Sequence, residues 1–204
     1  MINIEVFSKA GIGKYNEDYV LHSEIVPDTS LIIVCDGMGG LSYGADASRF
    51  IAQCIMDYMH KYYDTQTPAQ SLVDAIIYAN NELAKKCASL KSKMGASIAL
   101  ALLVGKSCFY TWLGDVRIYL THAGTTDLLT TDHLAIEGNH SFLSRCINGR
   151  EFRFSPEIQE LSITSEDEIL IATDGFYLNN EVAMPLKSKV SIDDDATIVY
   201  IKQS

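Results

Sequence analysis

A chain of 204 residues, 48% hydrophobic and 21% charged, is long enough to close one real core and too apolar to stay disordered. Its formal net charge of -10 argues against nucleic acid or an anionic membrane as the main partner, since phosphate surfaces need a basic face. Its five cysteines (Cys35, Cys54, Cys87, Cys108 and Cys146) are odd in number and contain no CxxC, so they read as free thiols in a reducing cytosol, and the expected location is cytoplasmic. No apolar run approaches the ~20 residues of a membrane helix. Met1 to Lys9 lacks a basic start and a long apolar stretch, so no secretory leader is expected.

Asn3 to Ser8 alternates weakly and predicts a strand, followed by a turn at Gly11 and Gly13. Asn16-Glu17-Asp18 places two adjacent carboxylates before a second strand, Tyr19 to Val26. Leu31 to Cys35 is an unbroken apolar run that ends in Asp36-Gly37-Met38-Gly39-Gly40. This predicts a buried strand that delivers an aspartate to a glycine-rich turn.

The period then changes. Ala47, Phe50, Ile51, Cys54, Ile55, Tyr58 and Met59 recur at helical spacing, and a second helix runs from Pro68 to about Leu90 on the stripe Leu72, Ala75, Ile76, Ala79 and Leu83. Both stripes are core faces. From Gly95 onward strands dominate: Ala96 to Val104, Ser107 to Leu113, Arg117 to Thr121, Asp127 to Thr130, Glu157 to Ile163, Glu168 to Thr173 and Ala196 to Lys202. Thr131 to Gly149 predicts a loop with a short helix near Phe142 to Cys146, and Ser188 to Ile192 leads to Asp193-Asp194-Asp195. No linker or repeat divides residues 1–204, which form a single domain of α+β type with sheet faces packed together and helices outside.

One device recurs. Strands end in Asp36-Gly37, in Gly114-Asp115 and in Asp174-Gly175, while Glu17-Asp18 and Asp194-Asp195 precede others. Five independent surface turns would explain this without any function. If the strand ends converge, however, the carboxylates repel one another steeply unless divalent cations neutralise them. Oxygen-only ligands favour Mg2+ or Mn2+. Two such ions ~3.5–4 Å apart form a hydrolytic centre for phosphate esters.

Seven motifs in order resemble the metal-dependent Ser/Thr protein phosphatases of the PP2C (PPM) family in its bacterial form. They are Asn16-Glu17-Asp18 (NED), Asp36-Gly37-Met38-Gly39-Gly40 (DGMGG), Gly95-Ala96-Ser97 (GST/GTT), Gly114-Asp115-Val116-Arg117-Ile118-Tyr119 (GDSRxY), Thr131-Asp132-His133 (T-x-DH), Thr173-Asp174-Gly175-Phe176 (SDG) and Asp194-Asp195-Ala196-Thr197 (DNxT, with Asp for Asn).

The resemblance implies a four-layer α-β-β-α sandwich of two antiparallel sheets flanked by helices. It implies that Asp36 bridges two metals and that the Gly37 carbonyl binds one of them. Asp174 and Asp194 would hold the first ion, and Glu17 the second with Asp18 in support. Asp115 with Asp174 would hold a weaker third. A water activated between the two tight ions would attack phosphoserine or phosphothreonine in a protein, with Asp36 and Asp174 as the catalytic residues that hold the ions.

The chain departs from the family at Lys14, where an arginine usually grips phosphate, since lysine cannot form the bidentate fork. Met38 stands where another branch has a proton-donating histidine, so the leaving group would draw its proton from metal-bound water. His133 reads as a hairpin-end residue and Arg117 as a tether for a local acid. The flap between the DH element and the next core strand shrinks to Leu134 to Pro156. The expected partners are a phosphorylated protein and a cognate Ser/Thr kinase system, with no nucleic acid or membrane, and the expected state is a monomer. The alternative reading is a silent phospho-binding or regulatory domain of the same fold; a small-molecule phosphatase is a further one.

Overall fold

The computed structural model describes residues 2–12, 15–38, 43–138, 140–180, 182 and 193–203. Strands β1 (Ile2–Lys9), β2 (Asp18–Val26) and β3 (Thr29–Gly37) lead to helices α1 (Gly44–Tyr62) and α2 (Pro68–Leu90). Then come β4 (Ala96–Val104), β5 (Ser107–Leu113), β6 (Arg117–His122), β7 (Thr125–Leu128), β8 (Leu134–Glu137), β9 (His140–Leu143), β10 (Gln159–Ser162) and β11 (Glu168–Ala172). Helix α3 (Asp174–Tyr177) and β12 (Ala196–Gln203) complete the described elements.

Two five-stranded antiparallel sheets form, in the orders β1-β12-β11-β6-β7 and β10-β5-β4-β3-β2. The alternation along β3 explains how they stack. Leu31, Ile33 and Cys35 pack with α1 and α2, whereas Ile32 and Val34 pack against Ile118, Ile169, Ile171, Val199 and Ile201 of the other sheet. With both faces covered, Leu31 to Cys35 are fully buried, which is why the sequence shows an unbroken apolar run there. A third apolar layer (Tyr119, Leu170, Ala172, Ala196 and Ile198) lies on the outer face of the first sheet and is capped by Phe176 of α3. The layers are therefore helix, sheet, sheet, helix, as expected.

One expectation fails. Residues 142–146 carry no helix: β9 covers Phe142 and pairs antiparallel with β8, Ile136 opposite Ser141. So short a segment cannot hold a helix without packing, and Gly138 at φ +62° turns the chain back on itself instead. The strand expected from Glu157 is also shorter, confined to Gln159–Ser162. The segment from Ser188 to Ile192 lies outside the described residues. All five cysteines are free.

The turn before β11 is tied by Asp167. Its carboxylate accepts the Thr164 amide and hydroxyl at 2.7 and 2.9 Å and faces His122 Nδ1 at 2.6 Å. Burial pushes this carboxyl up, but the hydrogen bonds from Thr164 and His122 outweigh burial and hold it below the usual value. A carboxyl depressed by folding stabilises the fold above its unfolded value near 4, and that gain is lost as pH falls through the lower folded value. Asp167→Asn should therefore cost about 1 kcal/mol at neutral pH. Thermal melts across the acid range should show the gap to wild type closing as pH falls.

Candidate metal centre

Asp36 is the penultimate residue of β3 and shares the parity of Ile32 and Val34, so it leaves the core on the seam between the sheets. Its ladder partners are Asp18, the first residue of β2, and Ser97 of β4. Asp115 follows β5, Asp174 opens α3 after β11, and Asp194 with Asp195 leads into β12. Acids from the strand ends of both sheets thus meet at one edge of the sandwich.

They line a single cavity of about 550 Å³, whose wall includes Glu17, Asp36, Gly37, Asp115, Asp174 and Asp194, together with Tyr15, Met38, Ser97, Leu143 and Asp195. Six of the seven residues named from sequence as metal ligands are therefore brought together. The seventh, Asp18, is not on the wall; it lies buried beside Asp36 in the ladder.

A frame of hydrogen bonds holds these acids, and sequence reading missed most of it. The Thr173 hydroxyl donates to Asp18 Oδ2 at 2.8 Å and accepts the Thr197 amide at 2.9 Å. The Thr197 hydroxyl lies 2.8 Å from that of Ser8, which accepts Asn16 Nδ2 at 2.9 Å. The Asn16 side-chain Oδ1 in turn accepts the Asp18 amide at 3.0 Å. The threonines of the last two motifs and the asparagine of the first are thus links in one chain. The Glu17 carbonyl accepts the Gly37 amide at 3.1 Å and the Ser48 hydroxyl at 2.6 Å.

Two glycines are required by close approach. A Cβ on Gly37 would stand 2.5 Å from the Gly44 carbonyl oxygen, and one on Gly175 would stand 2.1 Å from the Asp195 carbonyl oxygen. In both cases the obstacle is backbone and cannot rotate away. Gly175→Ala should destabilise by about 1–3 kcal/mol, checked by chemical denaturation, because the neighbouring strand end must shift.

The electrostatics are those of crowded acids. Burial holds Asp36 well above the usual carboxylate range, with Asp18, Asp174, Asp115 and Asp194 adding to it. Asp18 is pushed up to about 7, by burial first and by Asp195 and Asp174, against opposing hydrogen bonds from Thr197 and Thr173. Asp115 and Asp174 are raised as well, chiefly by burial. Away from the cavity, Lys85 pairs with Glu82, Arg117 with Asp132 and His122 with Asp167. Asp18 Oδ1 is buried without a hydrogen-bond partner.

The carboxylates on the wall, raised by burial and by one another, and the unpartnered Asp18 Oδ1 beside Asp36 together fit a hard divalent cation. Among the described residues, no three acidic, His or Cys side chains already form a closed ligand set.

A family model for protein phosphatase 2C matches residues 8–194. The chain belongs to the protein phosphatase 2C family. A Streptococcus pyogenes protein named as protein phosphatase 2C-type is 26% identical, over 88% of this chain and 81% of that protein. Among solved structures, the serine/threonine phosphatase PstP/Ppp of Mycobacterium tuberculosis has a TM-score of 0.82 at 18% identity, covering 98% of both chains. Stp1 of Staphylococcus aureus has a TM-score of 0.83 at 19% identity, covering 100% of this chain and 96% of that one. The catalytic domain of PstP has also been solved in complex with two manganese ions, with a TM-score of 0.80 at 19% identity and coverage of 98% and 97%.

The remaining protein phosphatase 2C motif residues have structural roles here. His133 stacks on Trp112, centroids 5.5 Å apart, and its Nδ1 accepts the Gly114 amide at 3.2 Å. Burial lowers its pKa, which suits a neutral ring holding the turn before Asp115. Arg117 grips Asp132 with both arms of its fork, at 3.0 and 2.8 Å, and lies 3.8 Å over the Tyr177 ring. The Tyr177 hydroxyl donates to the Asp115 carbonyl at 3.1 Å, so this stack braces the same turn. Met38 lines the cavity. Lys14, Gly39 and Gly40 lie outside the described residues.

Proposed function

We propose that this chain hydrolyses phosphoserine and phosphothreonine esters in proteins with the help of Mg2+ or Mn2+. The observation that carries the reading is the convergence of Glu17, Asp36, Asp115, Asp174 and Asp194, from both sheets, on one cavity. Asp36, Asp174, Asp194 and the Gly37 carbonyl are the residues that would hold a pair of ions, with Glu17 on the second and Asp115 with Asp174 on a weaker third. When bound, such ions lower the pKa of a water between them and offset the charge that builds up on the phosphoryl oxygens.

The chain's own contribution is placement. The Asp18–Thr173–Thr197 chain fixes the floor under Asp36. The His133 and Tyr177 contacts fix the turn before Asp115. Met38 carries no proton to give and His133 is not among the residues that line the cavity, so the leaving oxygen would take its proton from water. Lys14, the cation nearest the first motif, would meet the phosphate more weakly than the family's arginine, because it lacks the bidentate fork. The proposed setting is the cytoplasm, with a monomeric enzyme opposed by a Ser/Thr kinase.

The test is hydrolysis of p-nitrophenyl phosphate and of a peptide panel bearing phosphoserine, phosphothreonine or phosphotyrosine. Turnover should need Mn2+ or Mg2+, fall to background with excess chelator, return on adding metal, and favour the first two peptides. Turnover that survives chelation, or a preference for small phosphate esters over phosphopeptides, would overturn the proposal. Tight phosphopeptide binding without turnover would establish a silent domain instead.

A further inference from the structure

We infer that Asp195 is a positioning residue that fixes the segment bearing Tyr15 and Glu17 against the acidic floor of the cavity. The residue is 8% exposed and each carboxylate oxygen serves a different amide. Oδ1 accepts the Gly11 amide at 2.8 Å, and Oδ2 accepts the Glu17 amide at 2.7 Å. One side chain thereby clamps both ends of the segment from Gly11 to Glu17, which lie 184 and 178 residues away in sequence.

The clamp is tight on both sides. A Cβ on Gly11 would come within 3.0 Å of the Asp194 backbone, and the Asp195 carbonyl lies against Gly175. Glu17 is pinned at both of its backbone polar groups: Gly37 and Ser48 hold its carbonyl, and its amide is held by Asp195. Asp195 thus joins the segments that carry Glu17, Asp174 and Asp194.

The residue type matters. A carboxylate is acceptor-only and satisfies two N–H donors at once. Asparagine, which the family motif has at this place, offers one oxygen; its NH2 would face the second N–H donor to donor. The chain's aspartate is therefore a working part of the site.

The consequence for Glu17 rests on the phosphatase reading; the clamp itself does not. Two measurements separate them. In the metal-free chain, amide hydrogen exchange at Gly11 and Glu17 should quicken at least tenfold in Asp195→Asn and further in Asp195→Ala, with β3 unchanged. In calorimetric titration with Mn2+, Asp195→Asn should weaken one site several-fold, much as Glu17→Gln does. The double variant should be no weaker than Glu17→Gln alone, since the first residue acts through the second.

Unchanged exchange at both amides overturns the clamp. Faster exchange with unaltered Mn2+ affinity, or additive losses in the double variant, overturns the role toward Glu17 and leaves Asp195 as structural support only. A wild-type chain that takes up no Mn2+ defeats the phosphatase reading and the role toward Glu17 with it, while exchange still decides the clamp.

Discussion

Asp36→Asn should leave a folded protein whose Mn2+-dependent turnover of phosphopeptide is at least about a thousandfold slower, a barrier increase of about 4 kcal/mol. Asp36 stands at the centre of the acids: it sits between Asp18 and Ser97 on the ladder, and burial and four neighbouring carboxyls all hold its own carboxyl up. On the proposed reading the carboxylate that would neutralise a bound ion is lost, whereas in the metal-free fold the change only relieves repulsion. The thermal midpoint should therefore hold or rise while the rate collapses. Circular dichroism melts beside steady-state kinetics check both halves. A variant that keeps the wild-type rate would remove Asp36 from the chemistry.

Phe176→Ala should have the largest effect on stability, about 3–5 kcal/mol. The ring is 2% exposed and meets Phe7 edge-on at 6.0 Å within the outer apolar layer. Helix α3 has only four residues, too few to persist on intrinsic propensity. The aromatic anchor is what holds Asp174 and Gly175 at the end of β11. In a domain of this size the midpoint should fall by roughly ten degrees. Mn2+ affinity should fall with it, even at temperatures where the variant is folded. Phe176→Leu should recover most of the stability, since it refills most of the space. Denaturant titration and calorimetry at one low temperature separate the two effects.

The strands, the two long helices and the acids were legible in the sequence for one reason. A strand buried on both faces has to be apolar throughout, so the polar residue that ends Leu31 to Cys35 stands out. The same contrast marks Asp174 after Glu168 to Ala172. What the sequence hid was the frame. Thr173, Thr197, Ser8 and Asn16 are ordinary polar residues in any list, and only the strand pairings show that they touch. Asp195 was visible as an acid but not as a clamp, because its partners are backbone amides near the other end of the chain. The β8–β9 hairpin was misread because a short exposed segment carries little periodic signal, and Ile136 and Phe142 face outward.

The pocket straddles the seam of the sandwich, with Asp36 and Asp115 issuing from one sheet and Asp174 and Asp194 from the other. Neither half of the fold carries a working set of acids. The spacing between them is therefore a by-product of core volume: the bulk of Ile32, Val34, Ile171 and Val199, packed deep between the sheets, also sets the distance across the mouth. Of residues 134–156 only Leu143 lines the cavity, so a change there alters the rim locally. A drift in interior bulk along the seam would instead move every acid at once.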